Sequence, residues 1–222
     1  MTVLALDAAL GGFSVALDDG TTVRAASTGR QDALERGLAL IAETLRDAGL
    51  RLRDLDRIAV GLGPGSFTGV RIAVAYAKSL AYGARVPLVG VSSYDALEPD
   101  GAPLPVLTVV HGRRGVVCAR LRSAGGAAAV ACGPAAGVVG RLLDGPAGTV
   151  SLVGNTEDVL SHIAERGWTV RALPPRTAVP AEAIAQLART REPSPGPHAL
   201  APDYGEAPAV SAPKPRPARV TR

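Results

Sequence analysis

The sequence predicts an α/β protein whose mixed sheets are arranged in two lobes. Alternating apolar patterns open the chain as three successive strands, and helical and strand patterns then follow in turn. A segment rich in proline and charge, residues 98–105 (EPDGAPLP), interrupts this order, and strands and helices begin again after it. Three strands followed by helix, strand, helix and strand make a mixed sheet, and the restart predicts a second α/β unit.

The chain opens with an antiparallel meander. Residues 2–7 (TVLALD) form an apolar run that ends in Asp7, and residues 13–18 (FSVALD) alternate in hydrophobicity as strands do. An Asp-Gly pair, which is a hairpin signal, leads into a third strand at residues 22–27. We therefore expect the first turn of the protein to follow Asp7 directly.

Two helices are predicted in the first lobe. Residues 31–48 have the three- and four-residue spacing of an amphipathic helix, which Gly49 ends. The apolar positions on one face are Leu34, Leu38, Ile41, Leu45 and Ala48. A buried strand at residues 57–62 and a helix at residues 68–82 follow, and a strand at residues 86–91 completes the lobe.

The second of these helices is apolar nearly all round. Its small residues recur at every fourth position: Gly69, Ala73, Ala77 and Ala81. A stripe of small side chains lets another backbone approach closely, and so apolar a helix is buried either in its own domain or against a partner.

We divide the chain into a first lobe (residues 1–98), a smaller second lobe (residues 99–192) and a tail (residues 193–222). Strands of the second lobe are predicted at residues 106–110, 116–121 and 149–153, and helices at residues 135–143, 156–166 and 180–190. Eight prolines fall in the tail. That composition cannot build a core, so the tail is expected to be disordered or extended.

Composition argues against several classes of protein. The net charge is +4, yet aromatic residues make up only 3% of the chain, too few for stacking on single-stranded nucleic acid. No apolar stretch reaches the length of about 18 residues that a membrane span needs, and no signal peptide is recognisable. Cys118 and Cys132 have no metal-binding spacing and make no disulfide framework, so a cytoplasmic location is the default expectation.

Residues 63–69 (GPGSFTG) join a strand to the second helix. A Walker A loop needs a lysine after its last glycine, and a dinucleotide fingerprint needs its glycines after the first strand; neither condition holds here. Two interpretations stay open. The glycines permit a tight turn in which Ser66 or Thr68 caps the helix, or the N–H groups of the helix N-terminus hold an anion.

Asp7 raises a related question, because it ends the first strand just before a glycine-containing turn. An aspartate at this position either holds a metal ion near a phosphate or is a solvated turn residue. The candidate nucleotide contacts are Asp7, Gly11, Gly12, Gly63, Gly65 and Ser66.

Four stretches together resemble one known family: LALD…FSVAL, the amphipathic helix, GLGPGSFTGVRIAVAYAKSLA and PLVGVSSYDAL. The chain resembles bacterial TsaB, also called YeaZ, of the actin-like ATPase superfamily with its ribonuclease H-like fold. The resemblance is strong over residues 1–98 and weak over residues 99–192. It implies a role in adding a threonylcarbamoyl group to N6 of adenosine 37 in tRNAs that decode ANN codons.

The resemblance also implies a non-catalytic scaffold. Its expected partners are the TsaD paralogue, the ATPase TsaE, a second copy of the chain, and tRNA indirectly through the complex. No intrinsic cofactor is expected, although ATP or ADP with magnesium at the partner interface is compatible with the family. The two helices of the first lobe would form the pairing surface, with the expected contacts Leu38, Ile41, Leu45, Gly69, Ala73, Ala77 and Ala81.

Departures from the family pattern support the absence of catalytic residues and metal ligands. The catalytic paralogue uses a His-x-x-x-His pair, and the three histidines of this chain have no such spacing. Ala9 and Leu10 replace the threonines usual after the aspartate. Near the second hairpin, His111 is expected to be a turn residue, and Arg113 and Arg114 are expected to be solvated.

Two enzyme classes are weighed against the scaffold. A self-sufficient actin-like ATPase or phosphotransferase would use Asp7 and the glycine loop, but phosphoryl transfer also needs a base or a group that positions water. A metallopeptidase would need a histidine pair that the sequence lacks.

Overall fold

Two five-stranded mixed sheets form the frame of the protein in a computed structural model that describes residues 1–29, 33–126 and 128–206. The first sheet has the strand order β3-β2-β1-β4-β5 and the second has the order β10-β9-β6-β7-β8. The predicted architecture of two α/β lobes with mixed sheets is confirmed. No helix in the described part of the chain is long and apolar enough to cross a membrane.

The first lobe contains these elements in chain order: β1 (Val3–Asp7), β2 (Ser14–Asp18), β3 (Val23–Ser27), α1 (Ala33–Asp47), β4 (Arg57–Gly61), α2 (Phe67–Ala84), β5 (Leu88–Val91) and α3 (Ser93–Leu97). The second lobe contains β6 (Val106–His111), β7 (Val117–Arg122), β8 (Ala128–Gly133), α4 (Ala135–Leu142), β9 (Thr149–Gly154), α5 (Leu160–Glu165) and β10 (Thr169–Ala172). A last helix, α6 (Pro180–Ala188), and a 3₁₀ turn (Pro197–Ala199) follow. Three short elements, α3, β8 and β10, were not predicted from the sequence.

β1 lies at the centre of the first sheet, antiparallel to β2 and parallel to β4. Its side chains alternate between the two faces. Leu4 and Leu6 belong to the core beneath α1 and α2, whereas Val3 and Ala5 pack with α6 on the opposite face. Both faces are therefore covered, and all five residues of β1 are buried.

The position of α6 corrects the predicted lobe boundary. The helix was predicted to lie in the second lobe, but its buried residues pack against β1, β2 and β4 of the first sheet. The facing strands present Ala5, Ala16 and Ala59, and small side chains on both surfaces allow a close approach. After β10 the chain thus returns to cover the open face of the first sheet.

Of the two alternatives predicted for the tail, disorder is wrong for residues 193–206, which pack against the first lobe. The amide of Ser194 donates a 2.8 Å hydrogen bond to the carbonyl oxygen of Leu88, and Leu200 is buried in the core of the first lobe. Hydrogen bonds between this segment and the first lobe satisfy backbone groups that would otherwise bond to water. The prediction for residues 207–222 lies outside the described residues.

The cysteine prediction is also corrected. Cys118 on β7 and Cys132 on β8 are register partners, with Cα atoms 4.1 Å apart, and they form a disulfide. Neither the strand β8 nor its register with β7 was recognised from the sequence, so the pairing could not be anticipated. The cytoplasmic location stays a prediction.

A cluster of charged side chains joins the two lobes where α3 meets the second sheet. Arg120 of β7 donates to Asp95 at 2.5 Å and to Glu98 at 3.0 Å, both on the first-lobe side. Arg191, which follows α6, donates to the other oxygen of Asp95 at 2.7 Å. Burial acts to raise the pKa of the Asp95 carboxyl, but hydrogen bonds from Arg191 and Arg120 hold it below its usual value.

Replacement of the shared carboxylate is expected to loosen this junction. Asp95→Asn should lower the free energy of unfolding at pH 7 by about 1.5–3 kcal/mol, because Asp95 accepts charge-assisted hydrogen bonds from two arginines. A depressed carboxyl pKa stabilises the fold above the unfolded-state pKa of about 3.9 and ceases to do so as the pH falls. Urea unfolding at pH 7 and pH 3 should therefore show a smaller difference between variant and wild type at the lower pH.

Asp100→Asn is the matched control. The Asp100 side chain is 87% exposed and pairs with Arg176 at 2.6 Å, so solvent screens the interaction and stability should stay close to the wild-type value. Equal losses in the two variants would contradict a special role for Asp95.

Candidate functional site

A cleft of about 240 Å³ lies between the lobes at the carboxyl ends of β1 and β4. One wall is the turn at residues 9–11 with the first turn of α2 at residues 66–68, and the other is formed by residues 111–113 with Asn155. Loops at the carboxyl ends of parallel strands meet at one edge of a sheet, which places the Asp7 turn and GPGSFTG together.

Ser66 caps α2, as one of the two interpretations of the glycine loop predicted. Its side chain accepts a 3.2 Å hydrogen bond from the amide of Gly69, and its own amide donates to the carbonyl oxygen of Ala9 at 2.9 Å. The amide of Val70 donates to the Ser66 carbonyl oxygen at 2.8 Å. Of the four amides at the helix start, residues 66–69, those of Ser66 and Gly69 are therefore used within the chain, which reduces the capacity of this terminus for an anion.

The glycines of the loop serve close backbone packing. A Cβ atom at Gly69 would collide with the carbonyl oxygen of Ala8, and one at Gly65 would collide with that of Ala9. Gly63 has a φ of +95°, and a Cβ atom there would collide with the carbonyl oxygen of Asp203. The tight strand-to-helix connection is thus established for this loop.

The two glycines after Asp7 have different surroundings. Gly11 lines the cleft and has open space around its Cα atom. A Cβ atom on Gly12 would instead meet the carbonyl oxygen of Thr28, so this glycine permits contact with the chain just after β3. Of the six candidate nucleotide contacts, only Gly11 and Ser66 line the cleft.

Asp7 is fully buried and does not line the cleft. One carboxyl oxygen accepts a 3.1 Å hydrogen bond from the Leu10 amide, and the other lies against Gly61 without a hydrogen-bond partner among the described residues. Burial raises the pKa of this carboxyl to about 6, with the amides of Leu10 and Ala9 acting in the opposite direction. The interpretation of Asp7 as a solvated turn residue is wrong.

His111 ends β6 and faces the cleft, so its assignment to a turn is also wrong. Its Nε2 atom lies 3.2 Å from an Asp158 carboxyl oxygen, and its amide donates to Asn155 Oδ1 at 3.1 Å. Arg113 is ion-paired with Glu206 at 2.9 Å. Within the described ranges, no three His, Cys, Asp or Glu side chains are placed to hold a metal ion.

Six of the seven residues predicted to contact a partner are not exposed on the protein surface. Leu38 is 52% exposed, but the other six are buried in the chain's own core: Ile41, Leu45, Gly69, Ala73, Ala77 and Ala81. The small-residue stripe lets α2 approach β1 and β4, so the neighbouring backbone belongs to the same lobe.

The residues on the outer face of α2 were not predicted as functional from the sequence. Phe67 and Tyr82 are 55% and 70% exposed, and Arg71, Ala75 and Ser79 are exposed between them. These positions recur at three- and four-residue intervals opposite the buried stripe, which is the period of an α-helix. Once the stripe is assigned to the core, that period identifies the outer face.

A comparison with protein families matches residues 30–185, more than half of the chain, to the family described as TsaD: tRNA N6-adenosine threonylcarbamoyltransferase. The chain is 38% identical over 123 residues to the tRNA threonylcarbamoyladenosine biosynthesis protein TsaB of Escherichia coli (strain K12), which covers 53% of each protein. It is 49% identical over 75 residues to the tRNA N6-adenosine threonylcarbamoyltransferase of Paracoccus denitrificans (strain Pd 1222), which covers 32% of this chain and 21% of that protein. The chain spans about half the length of the TsaB relatives that it matches.

A solved structure extends the likeness to nearly the whole chain. YeaZ from Pseudomonas aeruginosa superimposes with a TM-score of 0.69 at 26% identity, over 91% of this chain and 100% of that one. The shared fold therefore includes the second lobe, where the sequence resemblance is weak.

The buried carboxyl should make stability depend on pH. The pKa of Asp7 rises from its ordinary value of 3.8 to about 6 in the folded chain, so the folded state holds this proton more tightly than the unfolded state. Its contribution is most favourable below about pH 4, declines between about pH 4 and 6, and costs on the order of 3 kcal/mol above that. Asp7→Asn should remove this part of the decline in urea unfolding measured from pH 4 to 8.

Asp144→Asn, at an exposed aspartate on the second lobe, is the control and should leave the pH profile unchanged. If the Asp7→Asn profile also follows that of the wild type, Asp7 does not hold a proton in the folded chain.

Proposed function

Since the chain belongs to the TsaD family, tRNA N6-adenosine threonylcarbamoyltransferase, and groups within it with the TsaB (YeaZ) proteins, we propose that it acts in the biosynthesis of threonylcarbamoyladenosine in tRNA. The proposed role is that of a non-catalytic scaffold subunit that binds the TsaD paralogue. The proposed target of the complex is N6 of adenosine 37 in tRNAs that decode ANN codons. The comparisons confirm the family resemblance, and the subunit role is inferred from it together with the surface described next.

One surface carries the proposal: the outer face of the adjacent helices α1 and α2. We call it the partner face, and its exposed residues are Leu38, Ala39, Ala42, Phe67, Arg71, Ala75, Ser79 and Tyr82. The two helices lie side by side, with Gly37 close to the Tyr76 ring. The partner face is therefore a surface of two helices, as the family resemblance predicts, although Leu38 is the one predicted contact that belongs to it.

The shape of the partner face suits a second pair of helices. Ala39, Ala42 and Ala75 project little from their helices and leave a shallow surface, while Phe67 and Tyr82 stand at its two ends. Fifteen residues of α-helix separate these aromatic side chains, which is about 22 Å. Packed helices have axes about 8–10 Å apart, and small side chains at the contact favour the shorter distances. Exposed aromatic residues are frequent anchors of protein interfaces.

Two occupants compete for this face. The TsaD paralogue is the one we propose, because the scaffold role requires it. A second copy of this chain is the alternative, since an isologous contact would use the same helices. On the family resemblance alone, we extend the proposal to TsaE and to tRNA, both reached through the assembled complex.

The cleft is better suited to a nucleotide that both this chain and its partner contact than to one that this chain binds alone. Its volume of about 240 Å³ is below the roughly 300–1,000 Å³ of typical small-molecule pockets. It offers the Ser66 and Thr68 hydroxyls and the Arg113 guanidinium, but not the carboxylate of Asp7. We propose that ATP or ADP with magnesium, if bound, is completed by groups of the partner.

A self-sufficient actin-like ATPase is the second candidate function, and the unpartnered oxygen of Asp7 favours it. Metal ions are commonly held by carboxylate oxygens, so this atom could become a ligand if the turn above it opened. Against it stands the burial of Asp7 beneath residues 8–10.

A substitution that places a bulky, charged side chain at the centre of the partner face tests the proposal. Ala75→Arg should raise the dissociation constant of the complex with the TsaD paralogue from the same source about 30-fold or more, because a desolvated interface would receive an unpaired cation. Isothermal titration calorimetry with purified proteins measures the change. Ala136→Arg, on the exposed side of α4 in the second lobe, is the matched control and should bind as the wild type does.

An intact complex with Ala75→Arg would overturn the assignment of this face. If the wild-type chain does not bind the paralogue but forms a homodimer that Ala75→Arg disrupts, the partner face binds a second copy of this chain. Formation of threonylcarbamoyladenosine in the reconstituted system should fall in parallel with binding.

ATP turnover separates the scaffold from the ATPase. The purified chain with ATP and magnesium should release phosphate no faster than the Asp7→Ala variant, because the lining of the cleft includes no carboxylate to hold magnesium. Turnover by the wild type that Asp7→Ala abolishes would establish the second candidate.

A further inference from the structure

Residues 200–206, which we call the strap, cross from the first lobe to the second. Leu200 is buried in the core of the first lobe, and the amide of Asp203 donates to the carbonyl oxygen of Leu62 at 2.7 Å. At the other end, a Glu206 carboxyl oxygen accepts from Arg113 Nε at 2.9 Å in the second lobe. The strap is therefore anchored on both sides of the interlobe cleft.

The anchors of the strap include both walls of the cleft. The Tyr204 ring lies 4.9 Å from the ring of Phe67, measured between centroids. Phe67 lines the cleft from the first lobe and Arg113 lines it from the second. As long as the strap is docked, it links Phe67 on one wall to Arg113 on the other.

Between these anchors the strap lies directly on the disulfide of the second sheet. Gly205 has a φ of +72°, and a Cβ atom there would collide with Cys118 Sγ and lie 2.9 Å from Cys132 Sγ. Its amide donates to Asp203 Oδ1 at 2.8 Å, which holds the backbone in this turn. The bonded sulfurs thus form the surface on which the strap rests.

We propose that the Cys118–Cys132 disulfide is a redox-sensitive seat for the strap, so that its reduction releases residues 200–206 and unlinks the two walls of the cleft. The proposal deepens the function proposed above and rests on it in taking the cleft as a ligand site. The reductant belongs to the class of dithiols.

The exchange reaction balances in two steps. A thiolate of the dithiol attacks Sγ of Cys132, the less buried cysteine; the S–S bond breaks and Cys118 leaves as a thiolate that takes up a proton. The second thiol of the reductant then displaces Cys132 from the mixed disulfide. Two electrons and two protons pass to the protein, and the dithiol becomes a disulfide.

Reduction changes the seat because two thiols cannot stay at bonding distance. The Cα atoms remain held by the β7–β8 ladder, so the sulfurs must separate by moving their side chains. Cys118 is fully buried in the packed interior, and a Cβ atom on Gly205 would lie within 2.9 Å of both sulfurs. The separating sulfurs therefore displace the strap.

Hydrogen exchange on the full-length isolated chain tests the proposal. Treatment with dithiothreitol should speed exchange at the amides of residues 203–206 about tenfold or more, while β1 stays protected. The double variant Cys118→Ala and Cys132→Ala, which has neither sulfur, should show no response to dithiothreitol. If titration finds two free thiols and the exchange of the strap is nevertheless unchanged, the proposal is overturned. It is also overturned if dithiothreitol fails to reduce the disulfide in the native protein.

Gly205→Ala supplies an independent test, because its methyl group would occupy the space of the sulfurs and its φ disfavours any side chain. Fast strap exchange is expected in both redox states. Slow exchange, as in the oxidised wild type, would show that the strap does not depend on this contact. The assay contains no partner protein, so its failure would leave the partner face untouched, and loss of TsaD binding would not affect the strap result.

Discussion

Complete burial of β1 is the constraint on which the rest of the structure depends. The strand is hydrogen-bonded along both edges, and its alternating side chains present apolar groups on both faces. The helices α1 and α2 cover one face of the strand. The other face must be covered by an element that follows the second lobe in the chain. The return of α6 satisfies this need and brings the following segment back across the first lobe.

The same strand determines what the cleft can do. Its carboxyl end holds Asp7 beneath a turn that packs against the start of α2, and Gly65 and Gly69 allow the two loops to touch through their backbones. Close packing therefore consumes N–H groups and space that a phosphate would need. A small cleft above a buried carboxyl leaves the helix surface as the more prominent feature, which accords with a subunit that works through a partner.

Two different forces hold the lobes in place. On one side, Arg120 and Arg191 converge on carboxylates around α3, and partial burial strengthens these hydrogen bonds relative to those on an open surface. On the other side, the strap is held by buried Leu200, by the hydrogen bond from the Asp203 amide to Leu62, by an aromatic contact and by one ion pair. Arg113 in that ion pair is far more exposed than Arg120 in the charged cluster, so solvent screens the ion pair of the strap more strongly.

Local periodicity in the sequence by itself determined the two-lobe α/β architecture and the extents of β1, α1 and α2 to within about two residues. The GPGSFTG motif narrowed the cap of α2 to Ser66 or Thr68, and the quoted motifs carried the family resemblance. Periodicity also indicated that a backbone approaches the stripe of Gly69 to Ala81, but not which backbone. Only the tertiary structure decided that this backbone is the chain's own sheet, that α6 belongs to the first lobe, that Cys118 meets Cys132 and that residues 193–206 are packed. These facts depend on strand register and on contacts between residues far apart in the chain, whereas the spacing of apolar residues reports only on the face that each segment turns inward.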